Sequence, residues 1–303
     1  MKKKNIVTGI TILALSTIAL GACTSDKKKE TSTSSSAKVT KTTTSAVKAK
    51  GATLQDGTYT LKELNDKNGY HAVFKLTVKD GKITNSAFDN INADGKSKKD
   101  DADYNKNMKA KSGVSPKEYL AKFNEELVAK QNPGGIQVVT GATHSFHAFQ
   151  NYAQQLIQAA QKGDTKEIDI NNGAALKDGK YTLKEKNDSN GYHAVFDLTV
   201  KDGKVSESNF DYVNAEGKSK KEDADYNKNM KAKSGISAKE YIEKFNEELV
   251  TEMGKKDGTP GNIDVVTGAT HSFHSFVLYA QQLVNAAEKG NTQTIEVDNI
   301  VQK

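Results

Sequence analysis

The chain carries the same long segment twice, and this limits its architecture more than any other feature. DGTYTLKELNDKNGYHAVFKLTVKDGKI, beginning at Asp56, returns as DGKYTLKEKNDSNGYHAVFDLTVKDGKV at Asp178. DADYNKNMKAKSG at Asp101 returns at Asp223, and VVTGATHSFH at Val138 returns at Val265. The offset is 122 residues for the first two blocks and 127 for the third, so an insertion lies around Gly254 to Asn262. Two copies of so long a period predict tandem domains and not a solenoid. Each copy is large enough for its own hydrophobic core. We place the first domain at 51–170 and the second at 173–303.

Within a copy, hydrophobic periodicity and turn chemistry predict an α+β domain with a mainly antiparallel sheet. Tyr59 and Leu61 begin a strand, and Phe74, Leu76 and Val78 alternate along the next. Asp80-Gly81 signals a hairpin turn into a third strand at Ile83. Asn92 to Lys111 is polar throughout and reads as a long loop. Ser115-Pro116-Lys117-Glu118 is a capping box with proline at the first helical position. Tyr119, Leu120, Phe123, Leu127 and Val128 mark the apolar face that follows. Ile136 to Val139 reads as a short strand leading to a Thr-Gly-Ala-Thr turn. A second helix bearing Phe146, Phe149, Leu156 and Ile157 comes next, and Glu167 to Ile170 alternates as a candidate closing strand.

The N-terminus has the pattern of an export signal. Lys2, Lys3 and Lys4 precede an apolar run from Ile6 to Leu20, short for a membrane-spanning helix. Leu20-Gly21-Ala22-Cys23 resembles the lipobox of bacterial lipoproteins, which implies cleavage after residue 22 and a lipid on Cys23. Two acyl chains there would hold the protein at the cell membrane, on its extracellular face. Cys23 is the one cysteine of the chain, so neither an intrachain disulfide nor a cysteine metal site can form. Residues 24–50 are mostly Ser, Thr, Lys and Ala, too polar to form a core, and read as a tether reaching at most about 90 Å.

Charge argues against a nucleic-acid partner. The net of +6 is concentrated at the start: residues 1–50 hold ten lysines against Asp26 and Glu30, which leaves the remainder at about −2. The chain also lacks arginine, the side chain best shaped for phosphate recognition.

The Thr-Gly-Ala-Thr turn carries the candidate chemistry: Thr140, Gly141, Ala142, Thr143 and Ser145 in copy one, Thr267, Gly268, Ala269, Thr270 and Ser272 in copy two. Small residues permit close approach, and a helix start offers free amides and the positive end of a dipole. Taken alone, the segment spells either a phosphate site or an ordinary Ser/Thr helix cap. It resembles the flavinylation motif of the FMN-binding domain family: Asp, two variable residues, Ser or Thr, Gly, Ala, then an acceptor Thr or Ser. Copy two matches from Asp264 to Thr270, while copy one has Gln137 at the first position. The resemblance spans nearly all of residues 51–303.

The resemblance implies FMN joined by phosphodiester bonds to Thr143 and Thr270, two per chain, installed by a flavin transferase. It implies an electron carrier rather than a classical enzyme, and the sequence gives no sign of a substrate-specific catalytic triad. A membrane dehydrogenase or quinol would be the donor, and an extracellular acceptor such as ferric iron would receive the electrons. The competing class is a non-redox lipoprotein that binds a ligand or partner, including a precursor of peptide pheromones. The repeated His-Ser-Phe-His pairs, His144 with His147 and His271 with His274, offer too few ligands for a metal. Tyr70, Tyr104, Tyr192, Tyr226, Met108 and Met230 are candidates either to touch a flavin ring or to pack the fold.

If Cys23 is the anchor, Cys23→Ala moves the protein from the membrane fraction to the soluble fraction. Retention of the variant in the membrane fraction would refute the assignment.

Overall fold

The computed structural model describes residues 51–299. The stretches read as signal peptide and tether, with Cys23 between them, and the last four residues lie outside the described residues. Among the described residues no helix is long and apolar enough to cross a membrane.

The first repeat runs β1 (Gly57–Glu63), β2 (His71–Lys79), β3 (Lys82–Ile91), α1 (Ala102–Ser112), α2 (Pro116–Lys130), α3 (Thr143–Lys162) and β4 (Ile168–Ile170). The second repeats the order as β5 (Gly179–Glu185), β6 (His193–Lys201), β7 (Lys204–Val213), α4 (Ala224–Ser234), α5 (Ala238–Met253), α6 (Thr270–Lys289) and β8 (Ile295–Val297). The sheets are ordered β3-β2-β1-β4 and β7-β6-β5-β8. All neighbours are antiparallel except β4 on β1 and β8 on β5. The α+β expectation therefore holds, with one parallel pairing per sheet supplied by the closing strand.

Local chemistry sets these elements. Asp80 and Gly81 both take positive φ, as a tight hairpin requires, and the Asp56 carboxylate accepts both their amides. The side chains of β2 alternate between core and outer face, which places Ala72, Phe74, Leu76 and Val78 inside. The capping box forms as read: Ser115 Oγ accepts from the amide of Glu118, whose carboxylate accepts from the amide of Ser115. A Lys109 ammonium on the same carboxylate, with these hydrogen bonds, lowers Glu118 to about 2.

Two readings require correction. Asn92 to Lys111 is not a long loop. It contains a 3-10 turn (Lys98–Asp100) and then α1, capped by the Asp101 side chain on the Tyr104 amide and closed by Gly113 at φ 81°. No residue of α1 is buried, so it has no apolar stripe to reveal it. Side-chain hydrogen bonds hold it instead. Asn105 Nδ2 donates to the carbonyls of Lys98, Lys99 and Asp101, and its Oδ1 accepts from the Lys117 amide. Ile136 to Val139 is not a strand either. A 3-10 turn at Pro133–Gly135 feeds it, the Gln137 amide goes to the Glu126 carboxylate, and only Ile136 is fully buried.

Each repeat encloses its own core, centred on stacked phenylalanines: Phe74, Phe123 and Phe149 in one, Phe196, Phe245 and Phe276 in the other. The join between repeats is polar. Asn151 Nδ2 on α3 donates to Asn285 Oδ1 on α6 at 2.8 Å, and Gln161 Nε2 donates to the Asp298 carbonyl at 2.9 Å.

The edge strand β3 is closed by amide side chains of α2. Asn124 Oδ1 accepts from the Phe88 amide and Ser86 Oγ, while its Nδ2 donates to the carbonyls of Phe88 and Leu120. Gln131 takes the amide and carbonyl of Ile83 in the same way. The free edge thus finds partners within the domain, which blunts pairing with another chain. Asn246 repeats the device on Phe210. Asn246→Ala leaves these groups without their partner. It is expected to cost about 2 kcal/mol, read as a lowered midpoint in denaturant unfolding.

Candidate functional site

The two Thr-Gly-Ala-Thr segments fold alike. The Ala142 amide donates to the Val139 carbonyl at 2.9 Å, and the Ala269 amide to that of Val266 at 3.0 Å, closing a tight turn. Gly141 and Gly268 sit at φ 84°, a left-handed conformation that favours glycine. Space demands glycine as well. A Cβ at Gly141 would collide with the carbonyl oxygen of Ser112 at the end of α1, and one at Gly268 with that of Ser234 at the end of α4. The turn is pressed onto the helix that sequence reasoning took for loop.

Thr143 and Thr270 are the first residues of 20-residue helices, and both are exposed. The residue before each is a buried alanine, which cannot cap. Phe146 is the first residue to donate back along α3, to the Ala142 carbonyl. The amides of Thr143, His144 and Ser145 therefore have no helical acceptor, and the same holds for Thr270, His271 and Ser272. A Ser/Thr cap, one of the two readings open from sequence, is not made at either helix.

This arrangement suits a phosphate. Three amides and the positive end of a long helix dipole converge beside an exposed hydroxyl residue, and the glycine keeps the approach clear. The hydroxyls of Ser145 and Ser272 turn inward, toward the buried hydroxyls of Tyr119 and Tyr241 at 3.3 Å. Their amides, not their hydroxyls, remain free for a ligand. Thr140 and Thr267 are exposed on the turn, and so are Gln137 and Asp264, the residues at which the copies differ. Val138 and Val265 stand beside them, half-exposed at 51% and 54%, an apolar edge next to each turn.

Sequence reasoning missed a lysine beneath this region. Lys220 is 7% exposed, with its ammonium 4.6–4.7 Å from the ring centres of Tyr192, Tyr212 and Tyr226. Burial lowers it to about 8, against the pull of Asp211, Glu185 and Asp223. Lys98 in copy one lies over Tyr70 and Tyr104 only, because Asn90 occupies the position of Tyr212. The tyrosines singled out in the sequence thus pack around an internal cation, and Met108 and Met230 pack against the cores. The recurrence of Lys-Ser-Lys-Lys within the repeated polar stretch was the available signal.

Below the cage lies Glu185. Burial raises its pKa, and it accepts from Tyr279 Oη at 2.5 Å and the Ala194 amide at 2.8 Å. His147 and His274 are both lowered, chiefly by burial. Among the described residues no group of three or more His, Cys, Asp or Glu is placed to hold a metal ion.

The sequence model of the FMN-binding domain family matches residues 69–158, within the first repeat. A curated relative, the 15 kDa lipoprotein of Treponema pallidum, is 34% identical over 103 residues, which are 34% of this chain and 73% of that protein. A crystal structure from Clostridium perfringens is 35% identical and covers 39% of this chain and 98% of its own, with a TM-score of 0.37. A solution structure from Clostridium thermocellum is 25% identical over 38% and 95%, with a TM-score of 0.26. The match to the family, with a relative covered over most of its length, completes what the turn, glycine and uncapped helix point to: the chain belongs to the FMN-binding domain family.

Proposed function

We propose that the protein is a lipid-anchored electron carrier with FMN joined covalently to Thr143 and Thr270. One observation carries the reading. Each threonine stands exposed at the first position of a long helix whose three leading amides have no acceptor and whose preceding alanine cannot cap. On a flavin transferase, FMN would be delivered from a pyrophosphate-linked flavin dinucleotide: the threonine Oγ bonds to the flavin-side phosphorus, the P–O bond to the nucleotide monophosphate breaks, that monophosphate leaves, and the hydroxyl proton goes to solvent. Attachment makes sense outside a cell, where a dissociable cofactor would be lost by dilution.

The chain's own residues then hold the phosphate and position the group. Amides of Thr143 to Ser145, and of Thr270 to Ser272, neutralise the phosphate charge. Gly141 and Gly268 keep the turn seated on α1 and α4. When bound, FMN supplies one- and two-electron redox chemistry, while the protein supplies position and electrostatics. Cys23, by its lipobox and by likeness to a lipoprotein, would place the carrier on the extracellular face of the cell membrane. It would take electrons from a membrane dehydrogenase or quinol and pass them to an external acceptor such as ferric iron.

Intact mass of protein made with an active flavin transferase tests the reading. Two FMN adducts are expected on the wild type, one on Thr143→Val or Thr270→Val, and none on the double variant. Valine nearly keeps the shape while removing the nucleophilic oxygen. Gln137→Asp is expected to raise occupancy at Thr143, where copy one lacks the motif's carboxylate. Wild-type protein without any adduct overturns the redox reading in favour of a non-redox binding lipoprotein. Gly268→Ala is expected to displace the second turn and lower loading at Thr270, with destabilisation of at least about 1 kcal/mol seen in thermal unfolding.

A further inference from the structure

The two acceptor turns are tied to each other across the join between repeats. Gly261 lies in the short turn Pro260–Asn262 that leads into Asp264 and the second acceptor segment. A Cβ at Gly261 would stand 3.1 Å from Cδ2 of His147, so the imidazole of α3 rests on this backbone. His147 is one helical turn, about 6 Å, beyond Thr143. The same Gly261 position is 3.5 Å from Nε2 of Gln281 on α6, the helix that begins at Thr270. One helical turn past His147, Asn151 donates to Asn285 of α6, and Gln155 Nε2 reaches the same oxygen at 3.3 Å. His147 and His274, each one turn past its acceptor threonine, are close enough for charge on one to disfavour charge on the other. At the far end Gln161 and Ala52 both bond to Asp298.

We infer that the contact of α3 with α6 and the Pro260–Asn262 turn holds Thr143 and Thr270 as a fixed pair, and that their flavins exchange electrons within one chain. The electron exchange rests on the reading of both threonines as flavin sites; the fixed pairing does not. In the exchange, the reduced flavin of one domain loses one electron and the oxidised flavin of the other gains it. A proton moves between the first flavin and the second through solvent, so charge balances and no outside oxidant is needed. The separation is set by the fold and not by diffusion, so each flavin meets its partner at a fixed effective concentration.

Two measurements on the full chain test this. The first needs no flavin. Cys23 is the one cysteine, so Cys23→Ser with Thr143→Cys and Thr270→Cys gives two labelling sites for nitroxides. Pulsed dipolar spectroscopy is expected to return one narrow distance, and Gly261→Leu, which wedges His147 away, is expected to broaden it. A broad distribution before Gly261 is changed overturns the pairing. The second uses wild-type chain shown by mass to carry two FMN. After partial flash reduction, redistribution of electrons is expected at an unchanged rate on about tenfold dilution. A rate that falls in proportion to concentration overturns the exchange even if the pairing stands. Chain without FMN by mass refutes the flavin reading and the exchange with it, leaving the label distance to decide the pairing alone.

Discussion

The seat of Gly141 on the carbonyl of Ser112, matched by Gly268 on Ser234, is the contact on which the rest of the site depends. It lets the backbone enter α3 and α6 with the first amides facing outward and the preceding alanine buried. It also makes the Thr-Gly-Ala-Thr turn answer to α1 and α4, helices with no buried residues of their own. Those helices are positioned by Asn105 and Asn227, by the bonds from Tyr70 to Asp101 and from Tyr192 to Asp223, and by the lysine beneath the tyrosines. Hydrogen bonds with fixed directions, with only half-buried Met108, Met230 and Tyr226 leaning on the cores, therefore fix the place where chemistry is expected. Burial is largely indifferent to small rotations, while such bonds are not.

The repeats are close copies, yet they differ where difference matters. Asp264 stands at the position of Gln137, Tyr212 at that of Asn90, and an enclosed Lys220 at that of a half-buried Lys98. An enclosed cation among three rings and a buried carboxylate creates a local field unlike that of a partly hydrated one. The two Thr-Gly-Ala-Thr turns therefore belong to repeats with unlike internal electrostatics.

Much of the fold was legible because it follows from periodicity and caps. The alternation of Phe74, Leu76 and Val78, the Asp80-Gly81 hairpin and the Ser115–Glu118 box each have a short-range cause. The acceptor helix was legible for the same reason. α1 was not, since its pattern is polar on every side; its caps, Asp101 and Gly113, were in plain view but frame a segment without an apolar face. Ile136 to Val139 misled in the opposite way: four apolar or amide residues resemble a strand, but no neighbouring strand offers a ladder. At the site, the motif marked a turn that the fold brings to an exposed, uncapped helix start. The reason for its glycine, a carbonyl contributed from about 30 residues earlier in the chain, is a tertiary fact that no local pattern contains.

The uncapped helix starts have a thermodynamic consequence. Most helices complete their first turn with their own side chains, and loss of such a cap costs roughly 0.5–2 kcal/mol. Here that completion is handed to whatever anion arrives. A reversible ligand stabilises only in proportion to its concentration, through mass action. An anion joined by a bond is always present, so its contribution becomes a permanent property of the chain that bears it. Under the proposed attachment, unmodified, singly modified and doubly modified molecules would differ in stability though made from one gene product. A quality-control protease that samples open states would meet the immature ones most often. Maturation and survival would be read from the same three amides.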